Sequence, residues 1–166
     1  MKDYKKLENK MGHVEIVRAE LLKGSSRLGK PLFHTAIYVN RNPRSLRDAS
    51  HEREASEPLT EHRPWTTGEK LLAEAQDVGC ELALIFGYYE KLEYWAIARE
   101  IVVETDANDK RVTRYRFAEL HRIPGRRRER KDLTVLKTKS SLPNDFIRSY
   151  VLVQTPSFLQ PKGSLN

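Results

Sequence analysis

The chain has 166 residues, with 30 Lys plus Arg against 23 Asp plus Glu, a formal net charge of +7 and one cysteine. At 39% hydrophobic and 32% charged, it holds enough apolar bulk for one ordinary domain and too much for wholesale disorder. The lone Cys80 excludes an internal disulfide framework and cysteine-rich zinc motifs, and no apolar run approaches the ~20 residues that span a bilayer.

Residues 1–11 read as a polar lead-in. No apolar stretch follows their basic residues, so no signal peptide is expected and the setting is read as cytoplasmic. Val14, Ile16 and Val17 favour a strand, with a helix through Leu7, Met11, Val14, Val17 and Leu21 as the alternative. After the turn residues Gly24 and Gly29-Lys30-Pro31, a second strand is predicted over Leu32 to Val39. The stretch 40–67 holds five arginines and five acids, with Leu46, Leu59 and Trp65 as its large apolar residues. It is expected to be a long loop that buries little.

Thr66-Thr67-Gly68-Glu69 matches a capping box, with Thr66 as N-cap. Leu71, Leu72, Ala75 and Val78 then form an apolar helical face that Gly79 ends. Glu81 to Phe86 reads as a buried strand, and Tyr88 to Glu93 as a hairpin connection. Tyr94 to Glu104 follows as a long strand, Asp106 to Asp109 as a turn, and Val112 to Leu120 as another strand. The last strand is Tyr150 to Val153. These elements predict an α+β fold: a small curved mixed sheet or pseudo-barrel with one or more short helices. A single domain is expected over 12–155, with an extended tail over 156–166.

The charge is concentrated. Lys110 to Lys131 carries ten basic residues against Glu119 and Glu129, an excess of eight in 22 residues, while the rest of the chain is nearly neutral. Its densest part supplies Arg122, Arg126, Arg127, Arg128, Arg130 and Lys131. Arginine suits planar, bidentate phosphate contacts, so these six are the candidate phosphate clamp and the expected partner is nucleic acid, DNA or RNA. A solvated basic loop is the plain alternative. Just upstream, Phe86, Tyr88, Tyr89, Tyr94 and Trp95 place five of 14 aromatics in ten residues. Trp65, Tyr88, Tyr94 and Trp95 are the candidate base-binding pocket, set against ordinary core and cross-strand roles.

Metal and nucleophile chemistry is thin. His51-Glu52-Arg53-Glu54 and Glu61-His62 mix imidazoles and carboxylates, but the residue four after His51 is Ala55, so the zinc-protease signature is not met. Cys80 reads as a buried small hydrophobe. No nucleophile elbow, P-loop or dinucleotide fingerprint occurs, and no cofactor is expected.

Gly79-Cys80-Glu81-Leu82-Ala83-Leu84-Ile85-Phe86-Gly87-Tyr88, followed by Trp95-Ala96-Ile97-Ala98-Arg99-Glu100-Ile101-Val102, resembles the central hairpin of PUA-like domains of the EVE, YTH and ASCH branches. Tyr115 to Leu120 and Pro143 to Val153 resemble the later strands of the EVE branch, which extends the likeness over about residues 65–155. Ala96 stands where a glycine is usual and Glu81 where an aspartate is. The resemblance implies a small pseudo-barrel whose aromatic pocket accepts a modified base, flipped from a duplex or shown on a single strand. The expected function is therefore a non-catalytic nucleic-acid-binding module that reads modified bases. Two alternatives stay open. One is a small metal-dependent nuclease using His51 and Glu54, and the other is a protein-interaction module that meets an effector protein or a second copy of the chain.

Overall fold

The computed structural model describes residues 29–42, 44–46 and 58–159. The chain runs through β1 (Thr35–Asn40), β2 (Leu59–Glu61), α1 (Thr66–Asp77), β3 (Ala83–Tyr88), β4 (Lys91–Thr105), β5 (Arg111–Phe117), β6 (His121–Arg122), a 3-10 turn at Arg130–Asp132 and β7 (Tyr150–Gln154). The polar lead-in, the strand expected from Val14, the His51 and Glu54 pair and the tail from residue 160 lie outside the described residues.

The fold is α+β, built on one mixed sheet in the order β2-β5-β4-β3-β1-β7, with β6 added to β4. Strands β1 and β3 are parallel, with Ile37 opposite Leu84 and Val39 opposite Phe86, and the other pairings are antiparallel. Parallel neighbours cannot be joined by a tight turn, and the crossover here runs through α1. Strands β2 and β7 end the sheet, so the described strands form an open sheet instead of a closed barrel. At 15 residues, β4 serves two neighbours: its first half pairs with β3 and its second half with β5. The register slips between Phe86 and Gly87, where Glu93 is the extra residue on β4, and again at Arg99. Such bulges bend a strand and sharpen its twist.

Both faces of the sheet are covered. On one face, Leu71 and Leu72 of α1 pack with Ile37, Val39, Leu84 and Phe86 of the sheet. On the other face, Ala36, Tyr38, Ile85 and Trp95 pack beneath Leu133, Leu142 and Leu159. A strand buried on both faces reads as a continuous apolar run, which is why Ala83 to Phe86 shows no alternation.

Two local expectations need correction. Helix α1 does begin at Thr66, but its N-cap is Trp65, with no side-chain cap. Glu69 turns away from the helix end, and its carboxylate accepts the Val103 N–H of β4 at 2.9 Å. The stretch 40–67 is not merely a solvated loop, because Leu46 and Trp65 are buried in the core, Leu59 packs against it and β2 pairs with β5. Arg41 supports that pairing from outside. It donates to Glu61 at 2.7 Å and to the Tyr115 hydroxyl at 3.3 Å. Burial pulls its guanidinium down, but the neighbouring Tyr115 and Glu61 more than reverse this.

The largest departure from expectation is Arg130, which is 2% exposed. Its Nε donates to the Tyr38 hydroxyl at 2.8 Å, and one terminal nitrogen donates to the Asn144 and Phe146 carbonyls at 2.8 and 2.9 Å. The other donates to Asn40 Oδ1 at 3.0 Å. A buried charge is tolerable only when its donors are satisfied, and this fork reaches four acceptors on two segments, β1 and residues 144–146. Arg130 is therefore withdrawn from the phosphate clamp. Burial also raises the Tyr38 phenol above its ordinary range, with Arg130 pulling the other way.

Two predictions follow from these buried groups. Replacing Arg130 by Ala removes a charged donor from all four acceptors and should cost about 2–4 kcal/mol in denaturant unfolding. Arg130→Lys should recover little, because an ammonium cannot present a planar fork, whereas Arg126→Ala should fall within about 0.5 kcal/mol of wild type. Tyr115 is fully buried, and burial holds its phenol far above the ordinary 10.0. The native state then keeps this proton more tightly than the unfolded chain. Its stabilising contribution is complete below pH 10.0 and declines as pH rises beyond that. Alkaline melts should show this decline, and Tyr115→Phe should make it shallower.

Candidate nucleic-acid interface

The β3–β4 hairpin turns through Tyr89 and Glu90, between the paired Tyr88 and Lys91. Gly87 precedes the turn because nothing larger fits there. A Cβ would lie 2.6 Å from the Tyr38 hydroxyl and 2.7 Å from the Lys91 carbonyl. With the inward face of the strand filled by Tyr38, the two tyrosines at the tip project outward. Tyr89 is 72% exposed and Tyr88 37%. Their rings pack on each other at 4.4 Å between centroids. A side-chain hydrogen bond with Tyr89 favours the protonated Tyr88 phenol and raises it above its usual value.

The arginine-rich segment is fastened to the same hairpin. Strand β6 pairs Arg122 with Tyr94 and His121 with Trp95, and the Ile123 N–H donates to Glu93 C=O at 3.1 Å. Further along, Leu92 N–H donates to Arg128 C=O at 3.0 Å, and Arg130 N–H to Glu90 C=O at 2.8 Å. Two short runs, 121–123 and 128–130, thus line one edge of β4, and residues 124–127 bulge out between them. Gly125 (φ 92°) and Arg127 (φ 51°) make the sharp bends. The Arg128 guanidinium folds back, donating to Pro124 C=O at 3.3 Å and lying 4.3 Å from the Phe158 ring centroid.

Arg126 and Arg127 are exposed and make no ion pair with a described residue. Arg122 is exposed with its guanidinium 5.8 Å from the Tyr94 ring, and Lys131 pairs with Glu129 at 3.3 Å. The surface thus sets two tyrosine rings, in contact and tilted 56° to each other, beside Arg122, Arg126, Arg127, Arg128 and Lys131. Glu90 and Glu93 are the acids within the hairpin.

The expected pocket is not assembled. Trp65 is 0% exposed and stacks on Tyr115 at 4.8 Å, with Tyr150 on it at 5.2 Å. Its indole N–H donates to Ser149 Oγ at 3.2 Å. Tyr94 shares that core, whereas Trp95 lies in the opposite core against His121. Neighbours in a strand point to opposite faces, so Tyr94 and Trp95 cannot wall one cavity with Trp65. Of the four proposed pocket residues, Tyr88 alone offers substantial ring surface, and Tyr89 joins it. The sequence signal for Tyr89 was its place two residues after the strand-breaking Gly87, at the hairpin turn.

Among the described residues, no cluster of three or more His, Cys, Asp or Glu could hold a metal ion, and no helix is long and apolar enough to cross a membrane.

Tyr89 adopts φ 54°, a left-handed conformation that costs a non-glycine residue about 1–2 kcal/mol. Tyr89→Gly should therefore leave the fold intact or raise its stability by up to about 1 kcal/mol in thermal unfolding, even though a large side chain is removed. A loss of stability of the size seen for core aromatics would show that the ring is packed.

No family model, curated protein or solved structure matches the chain, so the reading of this surface rests on its own residues.

Proposed function

We propose that the chain is a nucleic-acid-binding module whose contact surface is the Tyr88–Tyr89 hairpin tip together with Arg122, Arg126, Arg127, Arg128 and Lys131. The observation that carries this reading is the pairing of the 128–130 segment with the hairpin, which holds an aromatic platform next to exposed arginines. Sequence-tolerant binding of single strands needs those two components: a cationic track for the backbone and aromatic faces for the bases. Stacking on one ring is worth ~1–3 kcal/mol per base. Duplex bases would first have to be unstacked at a cost of a few kcal/mol, so single-stranded DNA or RNA is the favoured ligand.

Recognition of a modified base would rest on Tyr88 and Tyr89 in this proposal, since the two tryptophans are interior. A PUA-like assignment of the fold belongs to the same proposal, with β3 and β4 as the elements that support it. The nuclease alternative depended on His51 and Glu54, outside the described residues, and no observation favours it.

Fluorescence anisotropy with labelled single-stranded oligonucleotides of about 12 nucleotides tests the reading. Three phosphate contacts should give a log–log salt slope near −2, from ~−0.7 per contact on a single strand. Arg126→Ala/Arg127→Ala should weaken binding and flatten the slope by about 1.4. Tyr88→Ala/Tyr89→Ala should weaken binding at least about fivefold with the slope unchanged. Wild-type affinity in both double variants, or a salt slope near zero, would overturn the proposal.

A further inference from the structure

At the other side of the sheet, β7 is an edge strand that is covered for only part of its length. The pairing with β1 fixes which backbone groups point where. Asn40 N–H donates to Ser149 C=O and Thr155 N–H to His34 C=O, both at 2.9 Å. The residues in alternate positions, Tyr150, Leu152 and Gln154, therefore turn their N–H and C=O groups away from β1. Residues 134–136 meet the C-terminal half of this outer edge. Val135 bridges Val153, Gln154 N–H donates to Thr134 C=O at 2.9 Å, and Leu136 N–H to Leu152 C=O at 3.0 Å. The segment then leaves in a tight turn, with Lys139 N–H donating to Val135 C=O at 2.9 Å. Beyond it, the N–H and C=O of Tyr150 and the N–H of Leu152 find no backbone partner among the described residues.

A groove of about 910 Å³ opens where that partner strand would continue. Its apolar lining comes from Val135, Leu136, Val151 and Leu152, and its charged lining from Arg63, Lys137 and Arg148. No Asp or Glu is among the described residues that line it. Ile147, 90% exposed, stands among the lining residues. Tyr150 is the aromatic residue of the lining, but its ring is engaged with Trp65 and its hydroxyl donates to Thr67 Oγ1 at 3.4 Å.

We infer that this groove takes an acidic peptide in extended conformation, added as a strand to the part of β7 that no described residue pairs. An open strand edge offers both donors and acceptors, which another backbone satisfies in register. Side chains of such a strand would meet the apolar lining of Val135, Leu136, Val151 and Leu152 and the three cations Arg63, Lys137 and Arg148. A nucleic acid fits less well, because the groove presents no unengaged aromatic face for a base. The inference does not depend on the hairpin surface, which lies on other elements.

The test uses the full chain and a labelled, end-blocked peptide of alternating Glu and Val, about eight residues long, read by anisotropy and by amide NMR shifts. Binding should move the Tyr150 and Leu152 amides. The matching Lys–Val peptide should bind at least about tenfold more weakly, because its charges meet like charges. A Glu–Val peptide methylated on alternate backbone nitrogens keeps charge and side chains but loses its donors, and should also weaken at least about tenfold. Lys137→Glu/Arg148→Glu should lose binding while unfolding cooperatively as wild type does, and Tyr88→Ala/Tyr89→Ala should bind the peptide normally. Three results would overturn the inference. They are no Glu–Val binding at about 1 mM, a weak-binding limit, equal binding of the methylated peptide, or a single-stranded oligonucleotide shifting these amides where the peptide does not.

Discussion

A guanidinium buried at 2% exposure constrains everything around it. Arg130 must find acceptors for its donors inside the protein, and it finds them on β1, through Tyr38 and Asn40, and on the 144–146 segment. Because the fork is planar, those groups are fixed relative to one another in angle as well as distance. Three consequences reach the surface. The Tyr38 hydroxyl is held beneath Gly87, where a Cβ would strike it. The backbone of 128–130 is drawn along the hairpin, which sets the position of the preceding arginines. The loop leading to β7 is clamped at Asn144 and Phe146, so the start of the edge strand has a defined place. Hairpin tip, basic bulge and β7 edge are thus organised by one buried side chain whose charge never reaches solvent.

The sheet geometry explains why the aromatic cluster divides as it does. Strand β4 carries Tyr94 into the core under α1 and Trp95 into the opposite core by simple alternation. The bulge at Glu93 shifts the register next to the turn, and Gly87 with the buried Leu92 ends the covered part of the hairpin. Past them no described element covers the tip, where Tyr88 and Tyr89 contact each other beside the basic segment. Five aromatics adjacent in sequence therefore serve three environments.

This distribution marks how far the sequence could be read. Strands β1, β3, β4, β5 and β7 and helix α1 were legible, because each carries a periodic or continuous apolar signal bounded by turn residues. Strands β2 and β6 were not. They have three and two residues, and their pairing is decided by the strands they meet. The capping box misled because Glu69 had a better use, satisfying a backbone N–H of β4 across the core. In the charge run, Arg130 is chemically identical to Arg126, Arg127 and Arg128, and no local pattern marks which one turns inward. Tertiary acceptors on residues 14 to 92 positions away make that choice. The β7 groove was equally hidden, since Arg63, Lys137 and Arg148 converge from three distant stretches.

Backbone strain bears on which of these surfaces the chain is built to display. Among the described non-glycine residues, Tyr89, Asp109, Arg127 and Lys139 have positive φ. Asp109 closes the β4–β5 turn, where a short polar side chain tolerates the left-handed region. Tyr89, Arg127 and Lys139 have no such tolerance. Each is exposed, each occupies a position where glycine would be less strained, and the first two border the same surface. Neither the core nor the turn requires a phenol or a guanidinium there. Strain retained in an exposed residue that packing does not demand is most simply accounted for by what the side chain does in solvent. Two of these residues border the hairpin surface and the third, Lys139, sits in the turn that leaves the β7 edge, a placement that total charge and aromatic content could not show.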